Sequence, residues 1–294
     1  MVDDAPEGER YPVPDGQLLL HRAGTGGPAV VFLAGGGMYG LHYWNLHQQV
    51  AEFTTSVVYD RLGTGWSDPV PLPRTGTQVT DDLRELLRAA DVPGPVVLVG
   101  HSLGGLYARH YAKRFPGAVA GLVLLDPTHE NLPAYLPEEE ARRLEELNPA
   151  DLFPADRIDA TRELYRKVFG RAFADWPAWL RDALLDRNLS PDGFRRGLLE
   201  ASNLWALFTE VRDAGPDPDV PTIILTAMGA DAFAEELTPP GMAERNERKN
   251  RMYEDVVTAL AQGENRRVED AGHSGLAWGR PDAVLQAIHD VLGR

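Results

Sequence analysis

Short runs of aliphatic and β-branched residues recur along the chain, each bounded by glycine, proline or aspartate. Residues 17–22 end at the turn-rich segment 23–28, and residues 29–33 run into Gly35-Gly36-Gly37. Ser56–Tyr59 stops at Asp60, residues 96–99 stop at Gly100, and residues 122–125 stop at Asp126. A sixth run, 222–225, follows Pro221, and a short last one, 267–269, precedes Gly272. Continuous apolar runs of this length suit strands buried on both faces of a parallel sheet. Helical patterns lie between them at residues 79–90, with Thr80 as the N-cap, at 103–115, and at Pro281–Leu292. The last has proline in its first turn and Gly293 just past its end. Residues 1–10 are polar and are expected to fray.

The strand–helix alternation fails between about residues 128 and 218. Helical patterns there cover 138–147, 157–168, 176–186 and 195–211, and the segment holds Phe153, Phe169, Phe173, Phe194, Phe208, Trp176, Trp179 and Trp205. The expected fold is therefore α/β: a mostly parallel central sheet flanked by helices. Its core is built from residues 1–127 and 219–294, with a helical insertion at 128–218. Residues 212–218 read as the linker back to the sheet.

Composition narrows the chemistry. Of 294 residues 43% are hydrophobic, enough for a real core. There is no cysteine, which excludes disulfides, zinc–thiolate sites and a cysteine nucleophile, and fits a reducing cytoplasm. The 29 basic and 44 acidic residues leave a net charge of −15, which argues against nucleic acid or an anionic membrane as partner. The longest apolar run, residues 118–125, is far short of the roughly 20 residues a spanning helix needs. The acidic start, residues 1–7, does not read as a secretory leader. A small-molecule substrate is the expected partner.

The string Gly100-His101-Ser102-Leu103-Gly104 places Gly-x-Ser-x-Gly between a strand and a helix. Such a sharp turn lifts a serine hydroxyl above the sheet edge, and the glycines allow strand and helix to approach. A serine needs a neighbouring base to act as nucleophile. His273, in Asp270-Ala271-Gly272-His273-Ser274, follows the last strand and falls at the same sheet edge. His101 is expected to pack, and His129 is a possible pocket residue. The imidazole needs a carboxylate partner, and both Asp126 and Asp231, each at a strand's end, can supply it. For a developing oxyanion the N–H groups of Gly36 and Leu103 are the expected donors. The spacing Gly35, Gly37, Gly40 also matches a dinucleotide fingerprint, but a match without a well-placed acid is weak.

Taken together, the glycine-rich strand end at 30–37, the Asp60-Arg61-Leu62-Gly63-Thr64-Gly65-Trp66-Ser67 segment, the 100–105 turn, the strand end at 122–127 and Gly272-His273 resemble the α/β-hydrolase superfamily over nearly the whole chain. The chain departs from the family in having Ala34-Gly35 where His-Gly is common. The resemblance implies that residues 60–67 shape the mouth of the site and that the insertion is a cap. Trp176, Trp179 and Trp205 are the cap residues expected to line an apolar pocket. It also implies an acid after the strand at 222–225, favouring Asp231, although some members place it where Asp126 stands. The expected activity is serine-dependent cleavage of an ester or related acyl bond of a small apolar substrate, without cofactor or metal. A thioesterase, lactonase, amidase or acyltransferase would use the same residues. A non-catalytic receptor on this scaffold would have a broken triad. A serine nucleophile disfavours epoxide hydrolysis and dehalogenation, which proceed through an alkyl-enzyme.

Overall fold

The computed structural model describes residues 7–146, 158–231 and 241–294. Residues 1–6, Leu147, Phe153 and Arg157, which entered the expectations above, lie outside the described residues. Among the described residues eight strands form one sheet: β1 Glu9–Val13, β2 Gly16–Ala23, β3 Val30–Leu33, β4 Ser56–Tyr59, β5 Val96–His101, β6 Val119–Leu125, β7 Thr222–Ala227 and β8 Gly263–Val268. Their order is β1-β2-β4-β3-β5-β6-β7-β8, antiparallel at β1–β2 and β2–β4 and parallel everywhere else.

Among the described residues the α-helices are α1 Trp44–Val50, α2 Gly76–Ala89, α3 Leu103–Arg114, α4 Glu138–Glu146, α5 Ile158–Ala172, α6 Ala178–Asn188, α7 Pro191–Glu200, α8 Leu204–Asp213, α9 Met242–Thr258, α10 Leu276–Gly279 and α11 Pro281–Leu292. Successive residues of the central strands feed opposite faces, as strand geometry requires. Val30, Phe32, Val97 and Val99 pack with α1 and α11 on one side. Val31, Leu33, Val96 and Leu98 pack with α2, α3 and α9 on the other. Helices α4–α8 all fall between β6 and β7. Arg109 on α3 pairs with both Glu130 and Asp217, so one buried guanidinium ties the chain where it leaves the sheet to where it returns. Among the described residues, no helix is long and apolar enough to cross a membrane.

Several expectations are corrected. Residues 9–13 do not fray but form β1, paired with β2 from Glu9↔Leu20 to Val13↔Gly16. As an edge strand it tolerates Pro12 and needs no buried apolar run. Helix α2 begins at Gly76, not near Val79. Its cap is Thr75, whose hydroxyl accepts from Gln78 N at 3.1 Å while Gln78 Oε1 accepts from Thr75 N at 3.0 Å. Thr80 lies inside the helix, its hydroxyl donating to Gly76 O at 2.8 Å. The pattern at 195–211 is two helices, α7 and α8, with a break at 201–203. Helices α1, α9 and α10 are additional to the elements expected from the pattern.

Burial of imidazoles makes stability pH-dependent. Desolvation holds His21, His42, His47 and His101 down to about 4 and His129 to about 3. The unfolded chain binds these protons near pH 6.5, so stability is full above that pH and is lost as pH falls toward 4. Each of the five therefore makes the fold less stable as pH falls through that window. Asp60 and Asp82, pushed up to about 6 by burial, oppose this but are fewer. Tm is therefore expected to drop clearly between pH 7 and pH 5. Calorimetry showing the same Tm at both would refute the assignment of five neutral buried imidazoles.

Candidate active site

Only Ser102 separates β5 from α3, and its backbone stands at φ 51°, ψ −120°. That is outside the regions open to ordinary L-residues, so neighbouring groups must hold it there. Ser102 N donates to Leu125 O at 3.1 Å, and Ser102 O accepts from Gly105 N and Thr128 N, both at 2.9 Å. The glycines are needed for space. A Cβ on Gly104 would lie 2.0 Å from Leu33 O, and one on Gly105 would lie 2.4 Å from Pro127 Cβ.

The Ser102 hydroxyl faces His273 Nε2 at 3.0 Å, and His273 Nδ1 lies 2.6 Å from Asp126 Oδ2. His273 sits on the loop between β8 and α10, so the sheet edge brings together residues 171 positions apart. Asp126, at the end of β6, is buried and also accepts from Ala227 N at 3.0 Å and from Lys249 Nζ on α9 at 2.7 Å. Burial alone would raise its carboxyl, but the Lys249 ammonium and the His273 hydrogen bond outweigh this and hold it at about 2. It is a carboxylate at neutral pH.

Asp231, the other aspartate left open by the sequence, does a different job: its Oδ2 accepts from Ser274 N at 2.8 Å. One aspartate thus grips the His273 ring and the other the backbone just beyond it. Asp126 directly follows β6 and Asp231 lies four residues past the neighbouring β7, and no spacing rule distinguishes them. Lys249 was missed because a lysine on a polar helix carries no signal of its own.

His101 has polar work beyond packing. Its Nε2 donates to His273 O at 2.9 Å, while Nδ1 accepts from the Tyr43 hydroxyl at 2.8 Å, which in turn accepts from Gly35 N at 3.2 Å. This tautomer is assigned from the partners. The buried ring, neutral because burial holds it down to about 4, links the histidine loop to the glycine-rich loop after β3.

In that loop Gly35 N is taken by Tyr43 and Gly37 N by Glu200 Oε2 at 2.8 Å. Gly36 N donates to no protein acceptor among the described residues, and neither does Leu103 N in the first turn of α3. A Cβ on Gly36 would lie 3.4 Å from Leu103 Cδ2, so the two donors belong to adjacent residues. A hydroxyl in line with a carboxylate-held imidazole, beside two open N–H groups, can attack a carbonyl and stabilise the resulting anion.

Beside the loop is a cavity of about 90 Å³ lined by Gly36, Gly37, Met38, Tyr165, Phe169, Phe194 and neighbours. None of the three tryptophans lines it. Trp176 is buried and stacks on Phe173 at 4.2 Å. Trp179 is 45% exposed and meets Trp44 edge-on. Trp205 packs toward Phe208, on the α3 side of the sheet. His129 is buried beside Glu130 and does not reach this cavity. Among the described residues, no group of three or more His, Asp or Glu stands close enough to hold a metal ion.

A family model described as the alpha/beta hydrolase family matches residues 30–287. A Mycobacterium tuberculosis protein named lipase LipV is 35% identical over 173 residues, 58% of this chain and 62% of that protein. The chain spans less than two thirds of the curated relatives it matches, from 14% to 62% for three of them. A thermophilic esterase from Thermogutta terrifontis is 22% identical with a TM-score of 0.63, covering 97% of this chain and 98% of that one. An enol-lactonase from Burkholderia xenovorans LB400 is 18% identical with a TM-score of 0.60, covering 97% and 100%. At such identities the likeness is one of fold. With the strand order, the turn at Ser102 and the matched span in agreement, the chain belongs to the alpha/beta hydrolase family.

Proposed function

We propose that this chain is a serine hydrolase that cleaves esters carrying a short apolar acyl group, with residues 128–218 acting as the cap over the site. The observation that carries the reading is the unbroken chain from Ser102 Oγ through His273 to Asp126, at 3.0 and 2.6 Å. Ser102 Oγ attacks the carbonyl carbon as its proton passes to His273 Nε2. The carbonyl oxygen becomes an anion held by the N–H groups of Gly36 and Leu103. Asp126 stays ionised and stabilises the imidazolium through Nδ1–H. The C–O bond to the alcohol then breaks, and His273 returns its proton to the leaving alkoxide. Water, deprotonated by His273, attacks the acyl-serine in a second round and releases the acid.

The cavity shares Gly36 with the proposed anion site, though Ser102 and His273 do not line it, and as the acyl site it would be size-selective. At about 90 Å³ it offers room for about three water molecules, each with a liquid share near 30 Å³, and is smaller than a roughly 150 Å³ site that holds benzene. Three or four heavy atoms of an acyl chain fit. Longer chains must stay exposed or overpack the aromatic wall, at a cost of about 1–3 kcal/mol. A series of p-nitrophenyl esters should therefore peak between acetate and butyrate in kcat/KM and fall about 10- to 100-fold by octanoate. A profile that is flat or rises to octanoate contradicts the cavity as acyl site. A fluorophosphonate probe should label Ser102, located by mass spectrometry. Folded protein left unlabelled would favour a receptor instead.

A further inference from the structure

The three glycines after β3 pose a conformational problem. Glycine has little intrinsic preference for one side of φ/ψ space, so a run of them does not by itself aim an N–H. Two side chains from distant parts of the sequence act on this loop. Arg61, just beyond β4, donates from Nη1 to Ala34 O at 2.6 Å and from Nη2 to Gly35 O at 2.9 Å. Its Nε donates to Glu200 Oε1 at 2.5 Å, and Glu200 Oε2 accepts from Gly37 N at 2.8 Å. Both side chains are about 95% buried.

Peptide planarity turns this into a constraint on the neighbouring group. The Gly35–Gly36 bond is trans, so its C=O and N–H point in opposite directions. Arg61 draws Gly35 O to one side, and Gly36 N–H must then face the other. Glu200 fixes the guanidinium and the next N–H in the loop at once. Glu200 ends α7, inside the helical segment between β6 and β7. That same helix meets the loop through backbone: a Cβ on Gly197 would lie 2.9 Å from Gly37 Cα. Asn188 at the end of α6 adds a bond from Nδ2 to Gly37 O at 2.6 Å.

We propose that Glu200 is a positioning residue for the oxyanion hole, acting through Arg61 and Gly37 to aim the Gly36 N–H. The inserted helices thereby complete the catalytic machinery as well as covering it. This rests on the hydrolase reading above. A buried ion pair by itself is weak grounds for a stabilising role, since apolar replacements of similar volume are often as stable. A positioning role predicts effects that a purely structural one does not.

The test compares Glu200→Gln and Arg61→Lys with the wild-type protein on p-nitrophenyl acetate, with butylboronic acid as a tetrahedral-adduct inhibitor. Arg61→Lys keeps the charge balance, so it remains informative if Glu200→Gln fails to fold. A lysine cannot span Glu200 and both carbonyls. The expected result is a kcat about 10- to 100-fold lower, short of the 10²- to 10³-fold typical for outright loss of a donor. KM should stay within about twofold, and boronate affinity should fall in parallel with kcat, as for an interaction made only in the transition state. If both variants lose thermal stability but keep wild-type kcat and boronate affinity per folded molecule, the positioning role is overturned. Ser102→Ala, run alongside, separates the two ideas. Hydrolysis that survives it removes the reading of Ser102 as nucleophile and this proposal with it. Hydrolysis that Ser102→Ala abolishes but Arg61→Lys leaves intact removes this proposal alone.

Discussion

Ser102→Ala is expected to lower kcat for a short activated ester by about 10⁶, the scale on which removal of a nucleophile from a Ser–His–Asp unit acts. His273→Ala should do nearly the same. The two together should cost little more than either alone, because they act as a unit. His273 Nε2 lies 3.0 Å from the hydroxyl, so on the proposed reading losing either partner dismantles the base–nucleophile pair at the sheet edge. Ser102→Gly adds a stability readout. The residue stands at φ 51°, a strained setting that costs a side-chain-bearing residue about 1–3 kcal/mol and glycine far less. The glycine variant should be as inactive as the alanine one yet melt a few degrees higher. Steady-state kinetics and calorimetry on the two proteins check both halves. Substantial turnover by Ser102→Ala would mean that another group is the nucleophile.

Asp126→Asn should reduce kcat by about 10⁴, and Asp231→Asn by no more than a few-fold. An amide at 126 can present an N–H to His273 Nδ1 where the carboxylate accepts at 2.6 Å. This favours the wrong imidazole tautomer and leaves Lys249 Nζ, now 2.7 Å from Oδ2, without its anion. At 231 the amide keeps an oxygen that can accept from Ser274 N. The Asp126 carboxyl, held at about 2, lies below the unfolded value near 3.9. Its contribution to stability is full above pH 4 and lost only as pH falls through 2, so it does not set the acid limit of activity. Equal losses in the two variants, or a larger loss at 231, would reverse the assignment.

The sheet was readable because its central strands are buried on both faces and so must be written in uninterrupted aliphatic residues. The edges were not: β1, with Glu9, Arg10 and Pro12, is held by pairing and not by apolar burial. The Ser102 turn was readable because glycine is sterically compulsory there, with neighbours within 2.0 to 2.6 Å of any added Cβ. Asp126 and Asp231 could not be separated, since each follows one of two neighbouring strands and the choice depends on which side chain reaches the ring. The tryptophans illustrate a different failure. Aromatics in an insertion need not line a cavity: Trp176 is buried against Phe173 and Trp179 is 45% exposed, both away from it. Glu200 gave no signal because its partners, Arg61 and Gly37, are 139 and 163 residues away.

The backbone abutment of Gly37 and Gly197 has a practical corollary for anyone wishing to enlarge the proposed acyl cavity. Any library that bulks or tilts α7 should disturb the Gly35–Gly37 loop before it widens the cavity. Room for larger groups is better sought by trimming Phe169 or Tyr165 on α5, whose side chains wall the same space without gripping the glycines.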